Sequence, residues 1–259
     1  MDRAAAVVFH IPTLSTDLLL KENVNKKKDQ IWVAWSMESD SYYPIMMDRH
    51  FMSHFDMTMT YHLDSDIPVP YVTNDFTDLI KHTPSPKKPE NIANTFISRP
   101  LNKSGRIQLL MQLMGHIQVD SYGELLNTHI LNRDKGRQTK MDIISQYKFT
   151  LAFENSISTD YVTEKFYEPL IAGSVPVYLG APNIEDFSPG ENCFIDASKW
   201  DNPESLAAYL QELSYNEELY QRYFDWRERP LKKKFLDLLN INLEHAFVRL
   251  CNRISEMPA

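Results

Sequence analysis

Short apolar runs alternate with amphipathic stretches along this chain, most regularly in its second half. The runs FTLAFE (149–154) and SVPVYLG (174–180) predict buried strands, and the apolar residues between them recur at helical spacing. Residues 104–117 also follow a helical pattern. In the first half, AAAVVFH (4–10) and IWVAWS (31–36) predict two further strands. Strands that alternate with helices favour an α/β fold with parallel sheets covered on both faces.

A stretch rich in proline and lysine, TPSPKKPEN (83–91), separates the two halves and is typical of a linker. We therefore predict an N-terminal domain over residues 1–88 and a C-terminal domain over residues 89–259. The last apolar pattern, residues 231–254, predicts one terminal helix, and its lysines 232–234 are expected on a solvated face.

One helix carries a charge at the unfavourable end. We expect Asp160 to cap this helix and Gly173 to end it, which places Lys165 in the first two turns. The helix dipole disfavours a cation there unless an anion lies beside it. The sequence therefore predicts an anion next to Lys165.

Other polar residues are predicted at the same edge of the sheet, where open α/β folds bind their ligands. Glu154 and Asn155 end the strand FTLAFE, and Arg106 lies just inside the helix that follows another strand. Two cations placed this way indicate one shared anion, for which a diphosphate has the right size. Taken alone, the stretch from Asp160 to Lys165 is equally typical of a capped helix with surface charges, and Arg106 alone is more typical of a surface residue.

A candidate general base ends the strand of residues 31–36. Glu38 and Asp40 follow it, and a carboxylate at a strand end that faces a cleft could accept a proton from a substrate hydroxyl. The alternative interpretation, that these two acids simply end a strand in water, is the one that the residues alone favour.

Composition excludes several classes of protein. The net charge of −8 argues against a nucleic-acid binder, and the two cysteines argue against a disulfide framework. No glycine-rich phosphate loop is present, and His50 and His54 have no third zinc ligand nearby in the sequence. The Asp64-Ser65-Asp66 triplet has the form of a metal–nucleotide site, although a turn explains it equally well. No apolar run has the length of a membrane span.

Residues 147–182, YKFTLAFENSISTDYVTEKFYEPLIAGSVPVYLGAP, strongly resemble the core motif of the α-1,3/4-fucosyltransferases. WVAWSMESDSYYP (32–44), MTMTYHLDSDIPVPY (57–71), SGR (104–106) and VDSYG (119–123) resemble further motifs of that family. The resemblance implies a GT-B-like fold, in which two Rossmann-like domains face a cleft, here with a shortened N-terminal domain. It also implies transfer of fucose from GDP-fucose, with inversion, to a GlcNAc or Glc hydroxyl of a glycan.

The same resemblance assigns roles to six residues. Arg106 and Lys165 would hold the diphosphate, Tyr161 and Glu164 would contact the nucleotide sugar, Asn155 would line the pocket, and Glu38 would be the base. It implies no essential metal, and it makes residues 64–66 a structural motif.

Several alternatives stay open. Many family members have Glu-Ser-Pro where this chain has Glu38-Ser39-Asp40, so Asp40 is a rival base. The chain could also be a non-catalytic glycan- or nucleotide-binding relative, or an enzyme that uses another nucleotide sugar. The linkage is α-1,3 or α-1,4. We expect a cytoplasmic enzyme, with a Golgi lumenal catalytic domain as the alternative.

Overall fold

The computed structural model of the protein describes residues 4–15, 26–87, 90–131 and 133–256. Its first sheet contains the parallel strands β1 (Ala6–His10), β2 (Ile31–Ser36) and β3 (Met57–Thr60), in the order β1-β2-β3. The apolar runs at residues 4–10 and 31–36 thus form neighbouring strands, as their pattern predicts.

The second sheet is larger and also entirely parallel, with the order β5-β4-β6-β7-β8. Its strands are β4 (Ala93–Thr95), β5 (Val119–Ser121), β6 (Phe149–Phe153), β7 (Val175–Leu179) and β8 (Ile195–Asp196). The predicted strands FTLAFE and SVPVYLG are β6 and β7, and they pair at the centre of the sheet.

Helices connect the strands and cover the sheets. They are α1 (Arg49–Met52), α2 (Phe76–Leu79), α3 (Arg106–Met114), α4 (Arg137–Ile144), α5 (Glu164–Ala172), α6 (Pro203–Tyr215), α7 (Glu217–Gln221), α8 (Lys233–Ile241) and α9 (Ala246–Ser255). Short 3-10 helices span Ile11–Thr13, Pro44–Met47, Ile184–Phe187, Ala197–Lys199 and Arg222–Glu228.

Both faces of the second sheet are buried, so its central strands are apolar on both sides. Leu151 and Val177 belong to a core formed with α3 and α6. Their chain neighbours Ala152 and Tyr178 point the other way, into a core formed with α5 and α8. This alternation follows from the two-residue period of a strand.

The last helix packs on the first sheet. Leu250 of α9 is buried with Val33, Met57 and Met59, and Arg249 donates a hydrogen bond to the carbonyl of Pro68 at 2.7 Å. The prediction of one continuous terminal helix is wrong, because α8 ends at Ile241 and α9 begins at Ala246. The break carries the chain from the second sheet back to the first. The predicted boundary between residues 88 and 89 lies outside the described residues.

Helix α5 begins later than the sequence predicts. Thr163, rather than Asp160, is its N-cap, and the Thr163 side chain accepts a hydrogen bond from the backbone of Lys165. Asp160 lies in the preceding loop with a φ of 65°, where its carboxylate accepts from Leu63 and Asn183. Gly173 ends the helix as predicted, with a φ of 77° that disfavours other residues.

The three lysines at the start of α8 lie in surface ion pairs. Lys232 contacts Glu185 and Glu191, and Lys234 contacts Asp186 at 2.6 Å, while Lys233 pairs along its own helix. The predicted solvated face is therefore confirmed for Lys233 and Lys234, whereas Lys232 is half-buried.

Candidate active site

A cleft of about 400 Å³ lies between the first sheet and the carboxyl edge of the second. Glu38 reaches it from the segment after β2, and the other lining residues come mainly from the ends of β4 and β6 and the start of α5. All six residues assigned from the sequence line this cleft: Glu38, Arg106, Asn155, Tyr161, Glu164 and Lys165. Arg106 and Lys165 thus face one cavity.

The loop between β6 and α5 is anchored to the start of α3. Ser104 does not line the cleft. Its hydroxyl donates to the carbonyl of Glu154 at 2.6 Å, and its amide donates to the carbonyl of Asn155. Arg106 donates to the carbonyl of Phe153 at 3.2 Å. The Ser-Gly-Arg motif therefore fixes the loop that carries the polar lining residues.

The ammonium of Lys165 lies beside two carboxylates of the protein itself. Its Nζ lies 3.4 Å from the carboxylate of Glu154, whose side chain is fully buried, and 3.2 Å from that of Glu164. Thr163 donates to Glu154 through its amide and its hydroxyl, both at 2.8 Å. The anion expected beside Lys165 is therefore supplied in part by Glu154, at the end of β6.

Burial and charge act in opposite directions on this cluster. Burial lowers the pKa of Lys165, but the charges of Glu154 and Glu164 outweigh it and raise that pKa, so the ammonium stays protonated. Burial raises the pKa of Glu154. The charge of Lys165 and the hydrogen bonds from Thr163 offset this increase only in part, so the net shift is upward. Burial also raises the pKa of Glu164, yet Lys165 and Lys140 more than reverse this, and the net shift is downward.

Arg106 is almost fully buried and has a structural task. Its Nη1 and Nη2 donate to the carbonyls of Phe153 and Arg99, at 3.2 and 3.0 Å. Its Nε is buried and has no hydrogen-bond partner within the described ranges. Burial lowers the pKa of the guanidinium, but an arginine still keeps its charge near neutral pH. Arg106 therefore ties two cleft-lining segments together and leaves a cationic donor group at their junction.

Sequence reasoning missed four polar residues of the cleft, Tyr71, Ser98, Arg99 and Thr163. Arg99 is exposed and forms no ion pair with any residue that the structure describes, so its guanidinium is available to an anion. Thr163 caps α5, and Tyr71 contacts the carbonyl of Met37, next to Glu38. The signal for Arg99 was its place at the end of the strand pattern NTFISR (94–99), at the edge where ligands bind.

The two candidate bases differ in their surroundings. Glu38 is half-buried and lines the cleft, and its carboxylate forms no hydrogen bond or ion pair with the described part of the chain. Asp40 does not line the cleft. Its carboxylate accepts from Ser158 at 2.8 Å and lies 3.3 Å from His62. The hydrogen bond from His62 lowers the pKa of Asp40 to about 2, which makes it a weak proton acceptor.

The other candidate motifs have structural explanations. Asp66 accepts from the amide and hydroxyl of Thr58, and Ser65 contacts Thr60, so the Asp-Ser-Asp triplet closes a turn against β3. Among the described residues, no three His, Cys, Asp or Glu side chains form a group that could hold a metal ion. Both cysteines are free.

Two family models match the chain. The model of glycosyltransferase family 10 (fucosyltransferase), C-terminal part, covers residues 85–259, and the model of the fucosyltransferase N-terminal part covers residues 1–72. The chain belongs to the family 10 fucosyltransferases. The C-terminal match contains five of the six assigned residues, and the N-terminal match contains Glu38.

Two named relatives differ in the acceptor that their names state. The human 4-galactosyl-N-acetylglucosaminide 3-alpha-L-fucosyltransferase 9 is 32% identical over 232 residues, which are 88% of this chain and 61% of that protein. The GDP-fucose protein O-fucosyltransferase 3 of Xenopus laevis is 43% identical over 130 residues, 48% of this chain and 28% of that protein. The chain thus spans less than two thirds of the length of either relative.

The fold is that of solved fucosyltransferases of the GT-B type. A crystal structure of an alpha1,3-fucosyltransferase with GDP-fucose superposes with a TM-score of 0.62 at 17% identity, covering 90% of this chain and 77% of that one. The predicted α/β fold with two parallel sheets is therefore confirmed. No helix in the described ranges is both long and apolar enough to cross a membrane.

Proposed function

We propose that the protein transfers fucose from GDP-fucose to a hydroxyl group of a glycan, with inversion at the transferred carbon. The observation that carries this proposal is the composition of the cleft. Glu38 lines it from the side of the first sheet, while Arg99, Arg106 and Lys165 line it from the second sheet. A carboxylate faces a group of cations across a cavity that could hold a nucleotide sugar.

The diphosphate would bind between Arg99, Arg106 and Lys165. Arg99 is the accessible guanidinium, and guanidinium groups grip phosphate oxygens with paired hydrogen bonds. The Lys165 ammonium is held by Thr163 and Glu164. Because the Glu164 side chain is 45% exposed, it can turn away from Lys165 and accept hydrogen bonds from sugar hydroxyls instead. Asn155 and Tyr161 would complete this side of the pocket.

The reaction would proceed by displacement across the cleft. The acceptor hydroxyl attacks the transferred carbon on the face opposite the diphosphate, and Glu38 takes the hydroxyl proton. The bond to the diphosphate breaks, and the three cations stabilise the negative charge that grows on the leaving GDP. These cations supply positive charge without a metal, so we expect no essential metal, and treatment with a chelator should leave the activity intact.

The acceptor is proposed to be a GlcNAc or Glc unit, linked α-1,3 or α-1,4. A second candidate is a protein hydroxyl, which the name of the Xenopus relative favours for this chain. A panel of glycans and of folded protein acceptors, incubated with GDP-fucose and analysed by mass spectrometry and NMR, separates these two possibilities.

Binding and turnover together test the proposal against its alternatives. Isothermal titration should detect GDP, and competition with GDP-mannose and UDP-sugars should favour GDP-fucose. If GDP does not bind at millimolar concentration, the proposed donor site is wrong. If GDP binds but GDP-fucose gives no product with any acceptor, the chain is a non-catalytic relative.

A further inference from the structure

The segment that carries Glu38 is attached to the segment that carries Tyr161 by side chains from both halves of the protein. Ser158 donates to Oδ1 of Asp40 at 2.8 Å, although these residues are 118 positions apart in the chain. Ser158 is 9% exposed, and the Asp40 side chain is 19% exposed. Water therefore competes only weakly for the hydrogen bond between Ser158 and Asp40.

Tyr61 completes the connection from the end of β3. Its hydroxyl accepts from the amide of Asp40 at 3.1 Å and lies 3.1 Å from the hydroxyl of Ser158. Tyr61 is fully buried and packs its ring against Tyr161 at a centroid distance of 4.9 Å. A shift of Asp40 would therefore reach Ser158 directly and Tyr161 through Tyr61.

A second attachment lies two residues further along. The Tyr42 hydroxyl donates to the carbonyl of Asn155 at 3.2 Å and accepts from the amide of Lys103 at 2.8 Å. The short segment from Glu38 to Tyr42 is thus bonded at two points to the loop between β6 and α5. Glu38 itself makes no such bond through its carboxylate, so its position depends on its neighbours.

We propose that Asp40 is a positioning residue, which holds Glu38 opposite the donor-binding loop by accepting the hydrogen bond of Ser158. The inference rests on the proposed function, because it assigns Glu38 the role of base. It gives Asp40 a task other than proton transfer: its carboxylate links the half that supplies the base to the half that binds the nucleotide sugar.

The first test measures the connection without any turnover. Hydrogen exchange in Ser158→Ala should increase in residues 36–43, and exchange in Asp40→Ala should increase in residues 155–162. The exposed residues Ser198 and Asp78 provide matched controls, and Ser198→Ala and Asp78→Ala should leave both segments unchanged. If each variant affects only its own segment, the proposal is overturned.

The second test measures the consequence for catalysis. Ser158→Ala should lower kcat about ten- to a hundredfold, the effect of a small misplacement of a reacting group, with little change in GDP affinity. The double variant Asp40→Ala/Ser158→Ala should be no slower than the slower single variant, because both changes break one connection. Independent effects that multiply in the double variant would contradict the proposal, as would a parallel loss of GDP binding, which indicates a general structural role.

The two tests separate this inference from the proposed function. If the unmodified protein transfers no fucose to any acceptor, the proposed function fails, and the exchange experiment still decides whether Asp40 and Ser158 couple the two segments.

Discussion

The ammonium of Lys165 lies 3.4 Å from the carboxylate of Glu154, which has no exposed surface. The helix dipole at the start of α5 disfavours this cation, and the buried anion at the end of β6 offsets that effect. Glu154 also accepts two hydrogen bonds from Thr163, the N-cap of α5. One carboxylate therefore holds the N-cap residue and balances the charge of Lys165. The cation at this helix start is therefore part of the fold before any ligand binds.

Replacing Glu154 by Gln should destabilise the protein. The amide keeps an acceptor for Thr163 but leaves Lys165 without its buried counter-ion. Breaking a fully buried ion pair lowers the free energy of unfolding by roughly 3–5 kcal/mol. Because the Lys165 side chain is 23% exposed, we expect a smaller loss of about 1–3 kcal/mol in Glu154→Gln. Urea unfolding measures this loss. Glu164→Gln is the matched control, with an expected effect below about 1 kcal/mol because the Glu164 side chain is 45% exposed. An equal loss in both variants would show that burial of Glu154 does not matter.

The cations of the cleft should carry the affinity for GDP. Removing a charge-assisted hydrogen bond costs about 1.5–3 kcal/mol, so Lys165→Ala and Arg99→Ala should each weaken GDP binding roughly tenfold or more. Isothermal titration gives the Kd. Lys199→Ala is the control, because Lys199 is 67% exposed and does not line the cleft. Unchanged binding in Lys165→Ala would place the diphosphate elsewhere.

Glu38 and Asp40 should respond differently to loss of their charge. Glu38→Gln should lower kcat by a factor of about a hundred to ten thousand, the range for a positioned base, while GDP affinity changes little. Asp40→Asn keeps an oxygen that can accept from Ser158, so its loss of turnover should be much smaller. Steady-state kinetics with a saturating acceptor distinguish the two. The reverse pattern would make Asp40 the base.

A methyl group on Gly123 should disturb the donor side of the cleft. A Cβ at this position would lie 2.2 Å from the carbonyl oxygen of Ile97, which is buried backbone, so residues 97–99 would have to move. Overpacking of this kind costs about 1–3 kcal/mol, and it would displace Arg99. Gly123→Ala should therefore lower both stability and GDP affinity. In the control Gly115→Ala, the nearest atom is 3.2 Å away, and GDP affinity should be unchanged.

The sequence was most informative where local patterns determine structure. The alternation in β6 and β7 and the left-handed end of α5 at Gly173 follow from strand periodicity and glycine conformation. The start of α5 was predicted three residues too early, because Asp160 and Thr163 are both good caps. Thr163 is the N-cap because its hydroxyl also donates a hydrogen bond to the buried Glu154. That contact depends on the path of the loop between β6 and α5, which the local sequence pattern does not specify.

Long-range contacts account for the other differences. The pairing of Asp40 with Ser158 joins the loops that follow β2 and β6, which belong to different sheets, so no local pattern contains it. The same is true of the break before α9, where Asn242 donates to the carbonyl of Pro70 at 2.9 Å and directs the chain towards the first sheet. The continuous helical pattern of residues 231–254 gave no sign of that contact.

The environment of His62 predicts a pH-dependent stability. Burial lowers the pKa of His62, but its hydrogen bond to Asp40 and the charges of Asp40, Asp160 and Asp64 outweigh burial, so the net shift is upward from 6.5. A raised pKa means that the stabilisation is fully present below pH 6.5 and is lost as the pH rises through the pKa of the folded state. Asp40, with a pKa of about 2, stays ionised throughout this range.

Thermal unfolding between about pH 6 and pH 8.5 tests this prediction, since the charge of histidine changes in that range. The Tm of the unmodified protein should fall with rising pH more steeply than that of His62→Gln, whose amide can donate to Asp40 at every pH. The exposed His116 provides the control, and His116→Gln should keep the slope of the unmodified protein. If the His62→Gln slope also equals that of the unmodified protein, His62 does not carry a stabilising charge between the two halves.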